Sequence, residues 1–233
     1  MNSTSWKYIQ IQDFDTNWYF KKNRFAFSNR FIIIDRILSQ FFPKIILDVG
    51  TADGEMPLKL LATGKLDSLF IGVDISSKLI KIATKLAKKN NFSESLQFVM
   101  ADLEHLPFRK IKFDTIICTA VLEHIMNLDH ALNEMARVCK MKKFILITIP
   151  NSNYQKVFQL LAVLGLRYRD SVYNLKLDDL ELKMVKNKLI PIYRLIFVLP
   201  IPNFLKFIEK FLIRVEFKRF HFFLNQLLIC KKE

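Results

Sequence analysis

Residues 44–54 read Lys44-Ile45-Ile46-Leu47-Asp48-Val49-Gly50-Thr51-Ala52-Asp53-Gly54, and this run decides the fold. A short, β-branched apolar stretch stopped by glycine is a strand. Glycine at 50 and at 54 lets the chain turn tightly and lets its backbone approach a ligand. Gly54 to Leu61 reads as the start of a helix, and the first turn of a helix presents free N–H groups. The whole chain of 233 residues has only 5 glycines, so two of them in one loop single that loop out.

Working outward, strands and helices alternate. Leu69–Val73 is a second strand. Ser76 is an N-cap for a helix with Leu79, Ile80, Ala83, Leu86 and Ala87 on one face. Leu96–Met100 is a third strand and Phe113–Cys118 a fourth. Leu128, Ala131, Leu132, Met135 and Val138 give another amphipathic helix. Phe144–Ile149 is a fifth strand, stopped by Pro150. Ile190–Leu199 and Phe222–Cys230 are candidates for two more. This alternation implies βαβ units, hence a doubly wound α/β domain with a parallel sheet covered by helices on both faces. Ligands bind such sheets beyond the strand C-termini, so function is expected just after Val49, Val73, Met100 and Cys118. No repeat or linker divides the chain. One domain spans 1–233, with a helical lead-in at 1–43, a cofactor-binding core at 44–151 and a substrate or lid region at 152–233.

Composition narrows the classes. With 51% hydrophobic residues the chain can fill a core without staples. Cys118, Cys139 and Cys230 form no CxxC pair and read as buried, reduced thiols. The four histidines lack metal-ligand spacing, so no metal is expected. The first 15 residues contain no apolar signal segment. The charge-free stretch Leu195–Leu205 holds Pro200 and Pro202 and is about half the roughly 20 residues of a spanning helix. These features point to a cytoplasmic protein. The net charge of +14 suggests an anionic partner, or solubility alone.

Acids sharpen the glycine loop. Asp48 precedes Gly50 by two positions, Asp74 ends the second strand, and Asp102 follows the third. Together with Val121-Leu122-Glu123-His124-Ile125 after the fourth strand, this set resembles the class I S-adenosylmethionine-dependent methyltransferases, within the type 11 and type 12-like group. Their loop reads Asp-x-Gly-x-Gly-x-Gly; here Ala52 stands at the middle glycine. The resemblance covers residues 44–151. It implies a Rossmann-like, mostly parallel, seven-stranded sheet and an enzyme using S-adenosylmethionine. It also implies that Asp48, Gly50, Thr51, Ala52 and Gly54 wrap the methionine part of the cofactor. Asp74 with Ile75 would hold the ribose, Asp102 with Leu103 would frame the adenine, and Thr119 would complete the site. His124 is the candidate acid/base near the acceptor; its alternative is a structural residue at a helix start.

The expected acceptor is a small molecule, lipid-like or glycan-linked. Nucleic acid is not favoured: Cys118-Thr119-Ala120-Val121 stands where base-amine methylases carry an (Asp/Asn)-Pro-Pro-(Tyr/Phe) segment, and no RNA-binding module is appended. Residues 204–214 mix apolar and basic positions. They suit peripheral contact with an anionic membrane at its inner face, with a core lid or a dimer interface as alternatives. A non-catalytic cofactor-binding relative and an RNA methyltransferase are the rival functions. A nicotinamide oxidoreductase would need Gly-x-Gly-x-x-Gly, whereas the spacing here is Gly50, Ala52, Gly54, with aspartate at 53.

Overall fold

The run Ile45–Val49 forms β1 at the middle of a seven-stranded sheet in the computed structural model, which describes residues 24–152, 175–197 and 225–233. Helix α1 (Arg24–Phe41) precedes it. Then come α2 (Glu55–Ala62), β2 (Leu69–Asp74), α3 (Ser77–Lys89), β3 (Leu96–Met100) and β4 (Phe113–Thr119). A short 3₁₀ turn (Leu122–His124) leads to α4 (Leu128–Val138) and β5 (Cys139–Pro150). The described C-terminal residues form α5 (Leu177–Lys186), β6 (Leu189–Phe197) and β7 (Asn225–Lys232). Residues 204–214 with their expected membrane contact, and residues 1–23 of the lead-in, lie outside the described residues.

The sheet order is β3-β2-β1-β4-β5-β7-β6. β1 pairs in parallel with both β2 and β4, so the chain winds one way from β1 to β3 and the other way from β4. The crevice beyond the ends of β1 and β4 is therefore the switch point where such sheets bind ligands. β7 runs antiparallel to both β5 and β6, an exception in a sheet otherwise parallel.

Alternate strand residues feed two cores. Leu47, Val49, Val73, Ile116 and Cys118 pack with Leu132 and Met135 of α4 on one face. Ile46, Phe70, Ile117 and Leu146 pack with Ile34 and Leu38 of α1 and Leu60 of α2 on the other. Burial on both faces is why the strands read as near-continuous apolar runs. The three cysteines are free and buried. Among the described residues no helix is long and apolar enough to cross a membrane.

Two elements differ from the sequence expectation. β5 starts at Cys139 rather than Phe144, and its register against β4 slips between Phe113 and Thr115, so residues 140–143 bulge from the sheet. Helix α5 was not legible as a helix. It buries Leu177, Leu180 and Met184 but leaves Leu182 at 73% and Val185 at 52% exposure, which blurs the apolar period. Its ends carry Asp178 and Asp179 in the first turn and Lys183 and Lys186 in the last, each sign favourable to the helix dipole.

Candidate functional site

The loop after β1 carries three alternate left-handed positions: Gly50 at φ +68°, Ala52 at +52° and Gly54 at +77°. Glycine adopts this region freely; alanine does so at a cost. The turn is pinned at several points. Thr51 N–H donates to the Val73 carbonyl at 2.9 Å, and Gly54 N–H donates to the Thr51 carbonyl at 2.9 Å. The Thr51 hydroxyl donates to Asp48 Oδ2 at 2.7 Å. Gly54 is the N-cap of α2.

Asp74 joins two loops. Its Oδ2 accepts the Ala52 N–H at 3.0 Å, and its Oδ1 accepts the Ser76 N–H at 2.9 Å. Ser76 in turn caps α3, its hydroxyl accepting the Leu79 N–H at 3.3 Å. Ile75 between them is 38% exposed. A carboxylate offers about four lone-pair directions, so Asp74 keeps acceptor capacity beyond these two bonds.

Asp102 follows β3 and closes a tight turn: its Oδ1 accepts the Glu104 N–H at 3.0 Å, and its carbonyl accepts the His105 N–H at 3.0 Å. Leu103 is only 5% exposed and belongs to the core, so its side chain does not line the crevice. Two residues of α4 fix this loop. Glu134 Oε2 accepts the Leu106 N–H at 2.8 Å, while Arg137 donates to the carbonyls of Leu106 and Phe108 at 2.9 and 2.7 Å. Neither was singled out from sequence; a charged pair at i, i+3 on a helix gives no hint of a distant loop.

Beyond β4, Thr119 is half-buried and Ala120 is again left-handed, at φ +55°, its N–H donating to the Thr148 carbonyl at 2.9 Å. His124 ends the 3₁₀ turn and is half-buried, while Leu122 and Glu123 are buried. Val121 closes over the glycine loop: a Cβ on Gly50 would lie 2.2 Å from Val121 Cγ2. Phe98 of β3 does the same elsewhere. A Cβ on Gly72 would lie 2.6 Å from its Cδ1, and one on Gly54 would lie 2.6 Å from its Cζ. Gly72 and Phe98 were missed as loop supports; a glycine inside a strand was the available signal. The structure thus gathers Asp48, Gly50, Thr51, Ala52, Gly54, Asp74, Ile75, Asp102 and Thr119 at the C-terminal ends of β1 to β4.

The charge at this edge opposes that of the chain. Burial pushes the Asp48 carboxyl up to about 7, against the Thr51 hydrogen bond, with the Asp74 charge adding to the rise. Burial lifts Asp53 to about 6. It also raises Asp74, against the backbone N–H groups of Ser76 and Ala52. Each of these carboxylates gains from a nearby cation. Three such acids around a glycine-rich turn fit a polar ligand that carries positive charge.

The strand order with its antiparallel β7, and the acidic glycine loop at the β1/β4 switch point, define a Rossmann-like methyltransferase fold. Residues 47–147 match the family model described as methyltransferase domain. The ubiquinone/menaquinone biosynthesis C-methyltransferase UbiE of Bartonella henselae is 30% identical over 95 residues, 41% of this chain and 36% of that protein. The demethylmenaquinone methyltransferase of Bacteroides fragilis is 34% identical over 104 residues, 44% of this chain and 42% of that protein. The chain thus spans well under half the length of these relatives. The crystal structure of a magnesium protoporphyrin IX methyltransferase from Synechocystis superposes with a TM-score of 0.67 at 18% identity, covering 100% of this chain and 96% of that one; it shares the fold.

Proposed function

We propose that this chain binds S-adenosylmethionine in the crevice beyond β1 and β4 and transfers its methyl group to a small, lipid-like acceptor. The observation that carries this is the acidic cradle: Asp48, Asp53 and Asp74, all raised by burial, around a left-handed glycine loop in a chain of net charge +14. S-adenosylmethionine supplies, when bound, an electrophilic methyl on a positively charged sulfur.

The residues divide the work. Backbone at Gly50, Thr51, Ala52 and Gly54, with the buried Asp48 beneath, holds the methionine end. Asp74 accepts from the ribose hydroxyls while bracing the loop. Ile75 gives an apolar surface beside it. Asp102 and the backbone of Leu103 frame the adenine. Thr119 borders the reacting end, and His124 takes the acceptor's proton where the acceptor must lose one. The main contribution is alignment, which can supply about 7–11 kcal/mol of a bimolecular barrier.

The named relatives act on quinone-type molecules, which favours a lipid-like acceptor over a glycan-linked one. A lipid-like acceptor would suit a cytoplasmic protein that is peripheral at the inner membrane face. β5 and β6 end, and α5 and β7 begin, at the cofactor edge, which suits residues 152–233 as the acceptor-binding region. Incubating the full chain with S-adenosylmethionine and a demethylated quinone tests the reaction. Production of S-adenosylhomocysteine that depends on the quinone supports it, and no turnover with any quinone sinks that acceptor class. The left-handed Ala52 in place of glycine favours a second reading, a cofactor-binding relative without catalysis, for which S-adenosylmethionine binds and no S-adenosylhomocysteine forms.

A further inference from the structure

The opposite edge of the sheet, at the N-terminal ends of β1, β4 and β5, has a different character. Segments 109–112, 140–143 and 231–233 carry eight lysines and arginines against one acid, Glu233. Topology brings them together. Lys112 N–H donates to the Val138 carbonyl at 2.8 Å, just before the bulge at 140–143. Lys231 pairs with Phe144 across β7 and β5. The end of α1 joins the same edge, because Phe41 stacks on Phe144 with ring centroids 4.3 Å apart. Asp114 lies among them and is satisfied by Lys140 at 3.0 Å and by the N–H groups of Lys44 and Ile45.

Large apolar side chains stand out among these cations. Phe42 is 67% exposed, Ile111 52% and Met141 50%. Each lies at or beside a left-handed residue: Phe42 at φ +44° and Ile111 at +57° in the connections before β1 and β4, and Lys142, next to Met141 in the β5 bulge, at +59°. A β-branched residue there is an outlier, and Ile111 is held by its N–H donating to the Arg137 carbonyl at 3.0 Å. Lysines in a last helical turn, such as Lys88 and Lys89, are accounted for by the helix dipole. Those at strand starts and in the bulge are not.

We infer that this basal edge docks on an anionic phospholipid bilayer, with Phe42, Ile111 and Met141 entering the headgroup layer and the surrounding cations meeting lipid phosphates. Basic groups near such a surface each strengthen binding, and exposed apolar tips add to it. Nucleic acid would use the cations and gain little from three exposed apolar tips. The cofactor crevice lies at the other ends of the strands, so docking and cofactor binding separate experimentally.

Flotation of the full chain with vesicles of phosphatidylcholine alone, or mixed with phosphatidylglycerol, tests this. The expected result is binding to the anionic vesicles only, weakened by salt. Lys142→Glu with Lys143→Glu should lower the partition coefficient by about thirtyfold or more. Ile111→Ser with Met141→Ser should lower it by about tenfold or more. Both variants should keep the cofactor affinity and the melting temperature of the parent, the control for folding. Vesicle binding that survives both pairs of substitutions overturns the assignment. So does duplex DNA binding that is lost with the lysines and indifferent to Ile111 and Met141, or absence of vesicle binding by the parent chain.

Discussion

The Asp74 carboxylate accepts the Ala52 N–H at 3.0 Å, so the acid at the tip of β2 holds the loop at the tip of β1. The residue expected to grip the ribose is also the residue that shapes the cradle for the rest of the cofactor. Replacing Asp74 with alanine strands the N–H groups of Ala52 and Ser76 as well as the ligand. At about 1.5–3 kcal/mol per charged hydrogen bond, S-adenosylmethionine binding should fall by about ten- to a hundredfold in calorimetry. Asp74→Asn keeps one acceptor oxygen, so it should preserve more of the melting temperature while still losing affinity. Full affinity in the asparagine variant removes Asp74 from ribose recognition.

Gly50 and Val121 form a second tie, between the β1 and β4 loops. Gly50→Ala places a methyl 2.2 Å from Val121 Cγ2 in a left-handed position. The conformational cost of about 1–2 kcal/mol and overpacking of about 1–3 kcal/mol should both appear in denaturant unfolding. Adding Val121→Ala should recover the overpacking part and leave the conformational part. Additive losses in the double variant would show that the two loops are not coupled.

Ala52 gives the opposite case. Glycine there removes a left-handed alanine worth about 1–2 kcal/mol and loses about 0.4–1 kcal/mol through a freer unfolded chain. The net expected gain for Ala52→Gly runs from nothing to about 1.6 kcal/mol, read as a small rise in melting temperature. A clear fall would mean that the Ala52 methyl makes a favourable contact that outweighs its backbone.

Asp48 makes stability and binding depend on pH. Its folded-state pKa of about 7 lies above its ordinary 3.8, so the folded chain holds the proton more tightly than the unfolded one. Asp48 therefore opposes folding increasingly as pH rises from 4 to 7. Asp48→Asn should gain stability over the parent above pH 7, by at most a few kcal/mol at about 1.4 kcal/mol per pKa unit, and the gap should close towards pH 4. Binding of a cationic cofactor should strengthen over the same rise in pH. A gap between variant and parent that stays constant from pH 4 to 8 contradicts the buried, raised carboxyl.

Much of this was legible in the sequence, for identifiable reasons. β1, β2 and β4 are buried on both faces, so each is a near-continuous apolar run, and the glycine loop and Asp74 fall at fixed places on them. The strand starting at Cys139 was read short because Lys140, Lys142 and Lys143 belong to a bulge that breaks the apolar pattern. Helix α5 hid behind the exposed Leu182 and Val185. The supports of the site were invisible for another cause. Phe98 over Gly72, Glu134 on Leu106, and Val121 on Gly50 are contacts across the fold, and spacing along the chain does not encode them. The basal edge is similar: Phe42, Ile111 and Met141 fall at one edge only because β1, β4 and β5 start side by side.

Calorimetric titration of the full chain with S-adenosylmethionine, S-adenosylhomocysteine and NAD tests the central claim most directly. The expected result is saturable binding of the first two, weakened in the Asp74 variants, and none of NAD. Binding of NAD alone, or of none of the three, contradicts the assignment of the acidic glycine loop to S-adenosylmethionine.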